Sequence, residues 1–198
     1  MPTETATPRL TEKFHGALTY AAVKHHRQTR KGGDIPYIGH LLSVAGLVIE
    51  AGGAETQAIA ALLHDAAEDQ GGEETLAEIR ERFGADVDRI VAECSDTFED
   101  PKPPRRERKT SYIEHLKDAS NDAILVSLAD KVDNARAILR DFRGSGSELW
   151  QRFSVKDPND HLWYYRSLLD VYQHKTDSWL VDELRRTLDA LEELVNAA

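Results

Sequence analysis

The chain has one cysteine, one methionine and no apolar run long enough to cross a bilayer. A lone Cys94 excludes an internal disulfide and suits a reducing compartment. The stretch from Met1 to Pro8 has neither a basic n-region nor an apolar h-region, so no signal peptide is expected and the chain reads as cytoplasmic. Basic charge is also in deficit. With 25 Lys and Arg against 35 Asp and Glu, the net charge is −10, which argues against binding the backbone of DNA or RNA. Convincing strand alternation is missing, as are internal repeats, low-complexity tracts and any domain linker. The length of 198 residues suits one domain with a substantial core.

What is present has helical spacing almost throughout. The pattern predicts helices over 11–29, with Phe14, Leu18, Ala21 and Ala22 on one side, then over 37–51, 55–68, 75–83 and 87–93. Further helices are expected over 106–116, 122–142 and 162–172, and a last one carries the stripe Leu180, Leu184, Leu188, Leu191 and Val195. Breaks fall at 32–36, Gly52-Gly53, Gly71-Gly72, Gly84 and Gly144-Ser145-Gly146. The three prolines within 98–104 exclude a helix interior there and mark a loop, expected at the active site. Thr75 and Glu78 have capping-box spacing. Trp150, Trp163 and Trp179 read as core of the C-terminal helices in preference to a dimer face. The fold class is all-α, a helical bundle of about nine or ten helices.

One segment conflicts with its surroundings. The helix over 55–68 is apolar on nearly every side through 58–63, then meets His64, Asp65, Glu68 and Asp69 within six positions. An unpaired buried charge costs several kcal/mol, so something must neutralise these groups, and a divalent cation is the most economical choice. Residues four apart share a helix face, which sets His64 over Glu68, Asp65 over Asp69, and Asp130 over Asn134. His40, His64, Asp65 and Asp130 form a set of two imidazoles and two carboxylates with positions left open. Such a set suits Mn²⁺, Zn²⁺ or Fe²⁺ better than Ca²⁺, and does not choose among the three. Two basic runs, 24–31 and 102–109, flank these segments and would serve a small phosphorylated substrate within the acidic whole.

This set resembles the His…His-Asp…Asp pattern of the HD-domain metal-dependent phosphohydrolases. Arg30-Lys31 followed by Pro36-Tyr37-Ile38-Gly39-His40, then Ala61-Leu62-Leu63-His64-Asp65-Ala66-Ala67-Glu68-Asp69, is similar to the hydrolase domain of the Rel/Spo alarmone enzymes. So are Phe83-Gly84-Ala85-Asp86-Val87 and the run from Leu128 to Arg136. The similarity spans roughly Phe14 to Arg140 and leaves no room for synthetase or regulatory domains. The chain is identified as resembling a stand-alone small alarmone hydrolase of that family. The resemblance implies one HD-type hydrolase domain over 1–198, with C-terminal helices in 158–197 packed on it. It implies removal of the 3′-pyrophosphate from (p)ppGpp or (p)ppApp, with Mn²⁺ as the usual cofactor and other divalent transition metals as alternatives. By position, His40, His64, Asp65 and Asp130 match the metal ligands. Glu68 and Asp69 match the acidic pair that activates or positions the attacking water. Arg30, Lys31 and Asn134 match substrate contacts, and Arg105 and Tyr164 further phosphate-side contacts. The implied partner is a small nucleotide, with neither nucleic acid nor membrane, and the oligomeric state stays open, a homodimer included. Asp34-Ile35 stands where the family carries Gly-Thr, in a loop beside the base-side residues, so guanine against adenine stays open too. The alternatives are an HD phosphohydrolase acting on another nucleotide and a catalytically silent nucleotide sensor. No ligand and neither acidic residue is missing, which disfavours the sensor.

Overall fold

The computed structural model describes residues 10–97, 101 and 103–198, which form ten α-helical segments and one 3-10 helix. The order is α1 (Glu12–Lys24), α2 (Ile38–Glu50), α3 (Glu55–Leu63), the single turn α4 (Ala66–Asp69), α5 (Gly72–Phe83) and α6 (Ala85–Cys94). Then come α7 (Arg105–Asp118), α8 (Asn121–Ser145), the 3-10 helix Gly146–Arg152, α9 (Pro158–Lys175) and α10 (Trp179–Asn196). The only extended pairing among the described residues is an isolated antiparallel bridge between Thr29 and Pro36.

Helix α8 is the axis of the bundle. Ser120 caps it by accepting from the Ala123 N–H at 3.3 Å, and its 25 residues make a rod of about 37 Å. Ala123, Ala129 and Ala135 alternate with Ile124, Leu128 and Val132 on its buried sides, so neighbouring helices approach closely. Helices α2, α3, α6, α9 and α10 all pack on it. Asp130, in the middle of this rod, is therefore placed in the centre of the core, only 6% exposed. The last helix follows its sequence stripe: Leu180, Leu184, Leu188 and Leu191 are buried, and Val195 is partly buried against the core.

The structure corrects several of the sequence-predicted elements. Helix α1 stops at Lys24 instead of 29, because 25–37 folds back as a loop tied by the Arg30 N–H to Ile35 O and Tyr37 N–H to Gln28 O bonds. Ala22 is exposed, and the buried face of α1 is Ala17, Tyr20 and Ala21. The predicted capping box is not formed. Helix α5 starts at Gly72, Thr75 is buried and donates to Gln70 O, and Glu78 accepts from Tyr20 Oη and Lys24 Nζ. The expected break at 144–146 falls after Ser145, where Gly146 takes φ +56. Of the three tryptophans, Trp150 is core and Trp163 half-buried, whereas Trp179 is 44% exposed. The proline loop over 98–104 lies partly outside the described residues; its Pro104 leads directly into α7.

The turn between α2 and α3 needs both its glycines. Gly52 takes φ +83, and a Cβ on Gly53 would lie 2.8 Å from the Val48 carbonyl oxygen and 2.6 Å from its Cγ1. A backbone oxygen cannot move aside without unwinding the end of α2. Gly53→Ala should therefore destabilise the fold by about 1–3 kcal/mol, read as a lower urea midpoint at unchanged m-value.

Candidate metal centre

Three helices that pack on one another bring the predicted ligands to one point. His40 lies in the first turn of α2, His64 and Asp65 follow α3, and Asp130 lies in mid-α8. His40 Nε2 is 3.2 Å from Asp130 Oδ1 and 3.6 Å from Asp65 Oδ2. His64 Nε2 is 3.0 Å from Asp65 Oδ2 and 3.6 Å from Asp130 Oδ1. One donor atom each of His40, His64 and Asp65 falls within 4.8 Å of the others. Both imidazoles are buried, at 4% and 3% exposure.

The expected continuous helix over 55–68 is broken where the ligands sit. His64 Nδ1 bonds the Ala61 carbonyl at 2.8 Å, the group that a continuing helix would offer to the N–H of residue 65. Residues 64 and 65 form a turn, and only the single turn α4 follows. The Asp69 N–H still reaches the Asp65 carbonyl at 3.0 Å, so Asp65 and Asp69 keep their one-turn spacing.

The tautomers follow from the other ring nitrogens. A carbonyl can only accept, so His64 Nδ1 carries a proton; His40 Nδ1, 2.6 Å from Asp133 Oδ2, does the same. Each neutral ring is left with a lone pair on Nε2, and both Nε2 atoms are buried without a hydrogen-bond partner. Two imidazole lone pairs and two carboxylate oxygens thus face one buried point. Four acceptors can share a point only around a cation. Protons offer one solution. Burial opposes charge on His40, but Asp130, Asp133 and Asp65 outweigh it and raise its pKa to about 9. His64 is raised in the same way, by Asp65 and Asp130 against its burial. Burial opposes ionisation of Asp65 and Asp130 as well, yet the two histidines, and for Asp130 first Lys131, hold both well below the carboxylate range. A divalent cation satisfies the same four atoms with one ion. The mixed N/O donor set, with Asp133 orienting His40, fits a transition metal.

Of the other predicted residues, Asn134 and Arg30 are tied to this centre through Asp130. Glu68 Oε2 accepts from the Asp96 N–H at 3.1 Å, and Asp69 Oδ2 accepts from Gln28 Nε2 at 2.7 Å. Arg30 donates to Asn134 Oδ1 at 2.9 Å, and Asn134 donates to Asp130. Lys31 is exposed on the same loop as Arg30. Arg105 pairs with Asp160 and lies 6.0 Å from the Tyr164 ring centre, so these two are together, on α7 and α9. The Tyr164 hydroxyl is buried without a partner among the described residues, and Lys109 Nζ lies 4.8 Å from its ring centre. Lys109 in turn pairs with Asp96 at 2.9 Å, linking this cationic side to Glu68 through Asp96. A separate open groove of about 620 Å³, between α1 and α5, is lined by Tyr20, Lys24, Glu78 and Arg82; Lys24 pairs with Glu78, and Arg82 lies over the Tyr20 ring.

Sequence reasoning missed Tyr37, Asp133, Lys131 and Asp96, and gave Lys109 only as part of a basic run. Tyr37 Oη donates to Asp65 Oδ2 at 2.5 Å, and Lys131 pairs with Asp130. Spacing held part of the signal: Tyr37 precedes His40, and Asp133 follows Asp130, by three residues, one helical turn.

A family model described as an HD domain matches residues 17–157. The chain belongs to the HD-domain family. Among its relatives is the guanosine-3′,5′-bis(diphosphate) 3′-pyrophosphohydrolase MESH1 of Xenopus tropicalis, 41% identical over 144 residues, which cover 71% of this chain and 75% of that protein. The Homo sapiens MESH1 is 38% identical over the same shares. A solved structure of a metazoan orthologue of SpoT that hydrolyses ppGpp superposes with a TM-score of 0.75 at 27% identity, covering 92% of this chain and 97% of that one. This HD-domain chain contains no helix, among the described residues, that is long and apolar enough to cross a membrane.

Two consequences can be measured. His40 titrates near 9 in the folded chain against 6.5 without its partners, so its protonation adds stability that is complete below about pH 6.5 and is lost as pH rises toward 9. The urea midpoint of metal-stripped protein should fall across that window, and saturating Mn²⁺ should remove the fall. Separately, Asp133→Asn should weaken metal affinity about 10–100-fold in a direct metal titration, because it takes from His40 the carboxylate that fixes its tautomer.

Proposed function

We propose that this HD-domain chain is a metal-dependent hydrolase that removes the 3′-pyrophosphate from alarmone nucleotides, with (p)ppGpp the favoured substrate and (p)ppApp the alternative. The observation that carries the reading is the buried four-acceptor point of His40, His64, Asp65 and Asp130, with the acidic pair Glu68 and Asp69 one turn away. The guanosine nucleotides named for its relatives favour guanine over adenine. We assign His40, His64, Asp65 and Asp130 to the metal, and Mn²⁺ as that metal. When bound, such an ion supplies Lewis-acid polarisation of a phosphoryl oxygen and acidifies water.

The chain's own residues do the rest. Glu68 and Asp69 orient the attacking water and take its proton. Arg30 and Lys31 on the loop after α1 offset the charge of the phosphates, each charge-assisted hydrogen bond contributing about 1.5–3 kcal/mol. Asn134 keeps Arg30 in place from α8. Arg105 and Tyr164 approach from α7 and α9, and there Asp160 must release Arg105 if it is to meet a phosphate. The cluster of cations at this rim allows a protein of net charge −10 to hold a polyanion. The chain acts on a small nucleotide, without nucleic acid or membrane, in the cytoplasm.

The test is turnover of metal-stripped protein on ppGpp and ppApp side by side, with and without Mn²⁺. Mn²⁺-dependent release of pyrophosphate from ppGpp supports the reading, release from ppApp alone reassigns the base, and release from neither by metal-loaded protein refutes the activity. In the same assay, Glu68→Gln with Asp69→Asn should leave metal content intact and lower kcat about 10²-fold or more. Loss of the metal instead would make that pair ligands.

A further inference from the structure

Gln28 sits in the turn after α1 with all of its polar groups engaged. Its backbone N–H donates to His25 O at 2.9 Å, and its carbonyl accepts from the Tyr37 N–H at 3.0 Å. Its side-chain Oε1 lies 2.6 Å from Gln70 Nε2 and 2.7 Å from His25 Nδ1, while its Nε2 lies 2.7 Å from Asp69 Oδ2. This set fixes the orientation of the amide. Turned over, it would place oxygen against a carboxylate and an NH₂ group against that of Gln70. His25 is itself 2% exposed, and its ring stacks on Tyr37 at 5.4 Å, the residue whose hydroxyl holds Asp65. Gln28 is therefore clamped to the same wall that carries a metal ligand.

Asp69 stands at the end of a short element. It ends a four-residue helix, its side chain is exposed, and the chain beyond it turns at Gly71 with φ +126. An exposed carboxylate samples several rotamers, and only some of them face the reacting centre. A rigid donor that removes this freedom preorganises the acidic pair.

We propose that Gln28 is the positioning residue for Asp69, with His25 and Gln70 setting the direction in which its amide donates. The inference rests on the reading of Asp69 as part of the catalytic acidic pair. Gln28→Met removes the donor to Asp69 without adding charge, whereas Gln28→Glu keeps the acceptor for His25 and Gln70 but sets a like charge against Asp69. Both variants therefore enter the cycle, and the loss of the donor is read from what they share. The experiment measures kcat, KM for ppGpp, metal content and urea midpoint for each variant, alone and in an Asp69→Asn background. The expected result is kcat lower by about 10-fold, KM and metal content within about twofold of the parent, and no further loss in the Asp69→Asn background. A purely structural role would instead lower the urea midpoint, or lower kcat by the same factor in both backgrounds. Equal loss in both backgrounds, or unchanged kcat in either variant, overturns the positioning role and leaves the acidic pair standing. Unchanged kcat in Asp69→Asn alone overturns the acidic-pair reading and the positioning role with it. Should Gln28→Glu fail to fold, Gln28→Met carries the cycle alone with the same expected and overturning results.

Discussion

Four lone pairs aimed at one buried point are the constraint from which the rest of the molecule follows. His40 and His64 each have their Nδ1 proton committed, to Asp133 and to the Ala61 carbonyl, so neither ring can turn its Nε2 into a donor without taking up a charge. Asp65 and Asp130 bring acceptors to the same place. In an apolar core such an arrangement is unstable unless a cation occupies it. The helices are arranged to serve it: α8 is lined with alanines where neighbours must come close, and α3 gives up its regular hydrogen bonding at His64.

Around that centre the polar groups are ordered by charge. The inner ring is acidic, and its outer partners, Tyr37, Asn134 and Lys131, hold the carboxylates in place. Arg30, Lys31, Arg105 and Lys109 lie farther out, on the loop after α1 and on α7. Two of these cations are neutralised internally, Arg105 by Asp160 and Lys109 by Asp96, so a polyanion approaching them would have to exchange partners instead of meeting bare charge. That exchange makes specificity depend on geometry more than on net charge.

Much of this was legible in the chain. The 3.6-residue period gave the bundle and the stripe of α10, and the conflict between an apolar run and the ionisable residues after it marked His64 and Asp65 as candidate ligands. Asp130 came from its i, i+4 spacing with Asn134 and from the run Leu128 to Arg136 that carries the family resemblance. Other positions were not legible, for identifiable reasons. The capping-box spacing of Thr75 and Glu78 lost to tertiary contacts, since Tyr20 and Lys24 claim the glutamate. The helix expected to run through 68 stops at its buried imidazole, because a side-chain N–H competes for a backbone carbonyl. Asp133 and Tyr37 carried only a one-turn spacing, which many structural residues share.

By itself, then, the order of residues determined most of the helices and marked the His64 and Asp65 cluster as a candidate site, because periodicity and the cost of buried charge are local properties. The role assigned to Glu68 and Asp69 came from the family resemblance. Tertiary structure decided which ring nitrogen faces the buried point, which group holds each side chain around it, and that Gln28, 41 residues before Asp69, donates to its carboxylate. Those outcomes depend on the direction of single lone pairs and N–H bonds across the gaps between helices. Directions of that kind exist only once α2, α3 and α8 have packed.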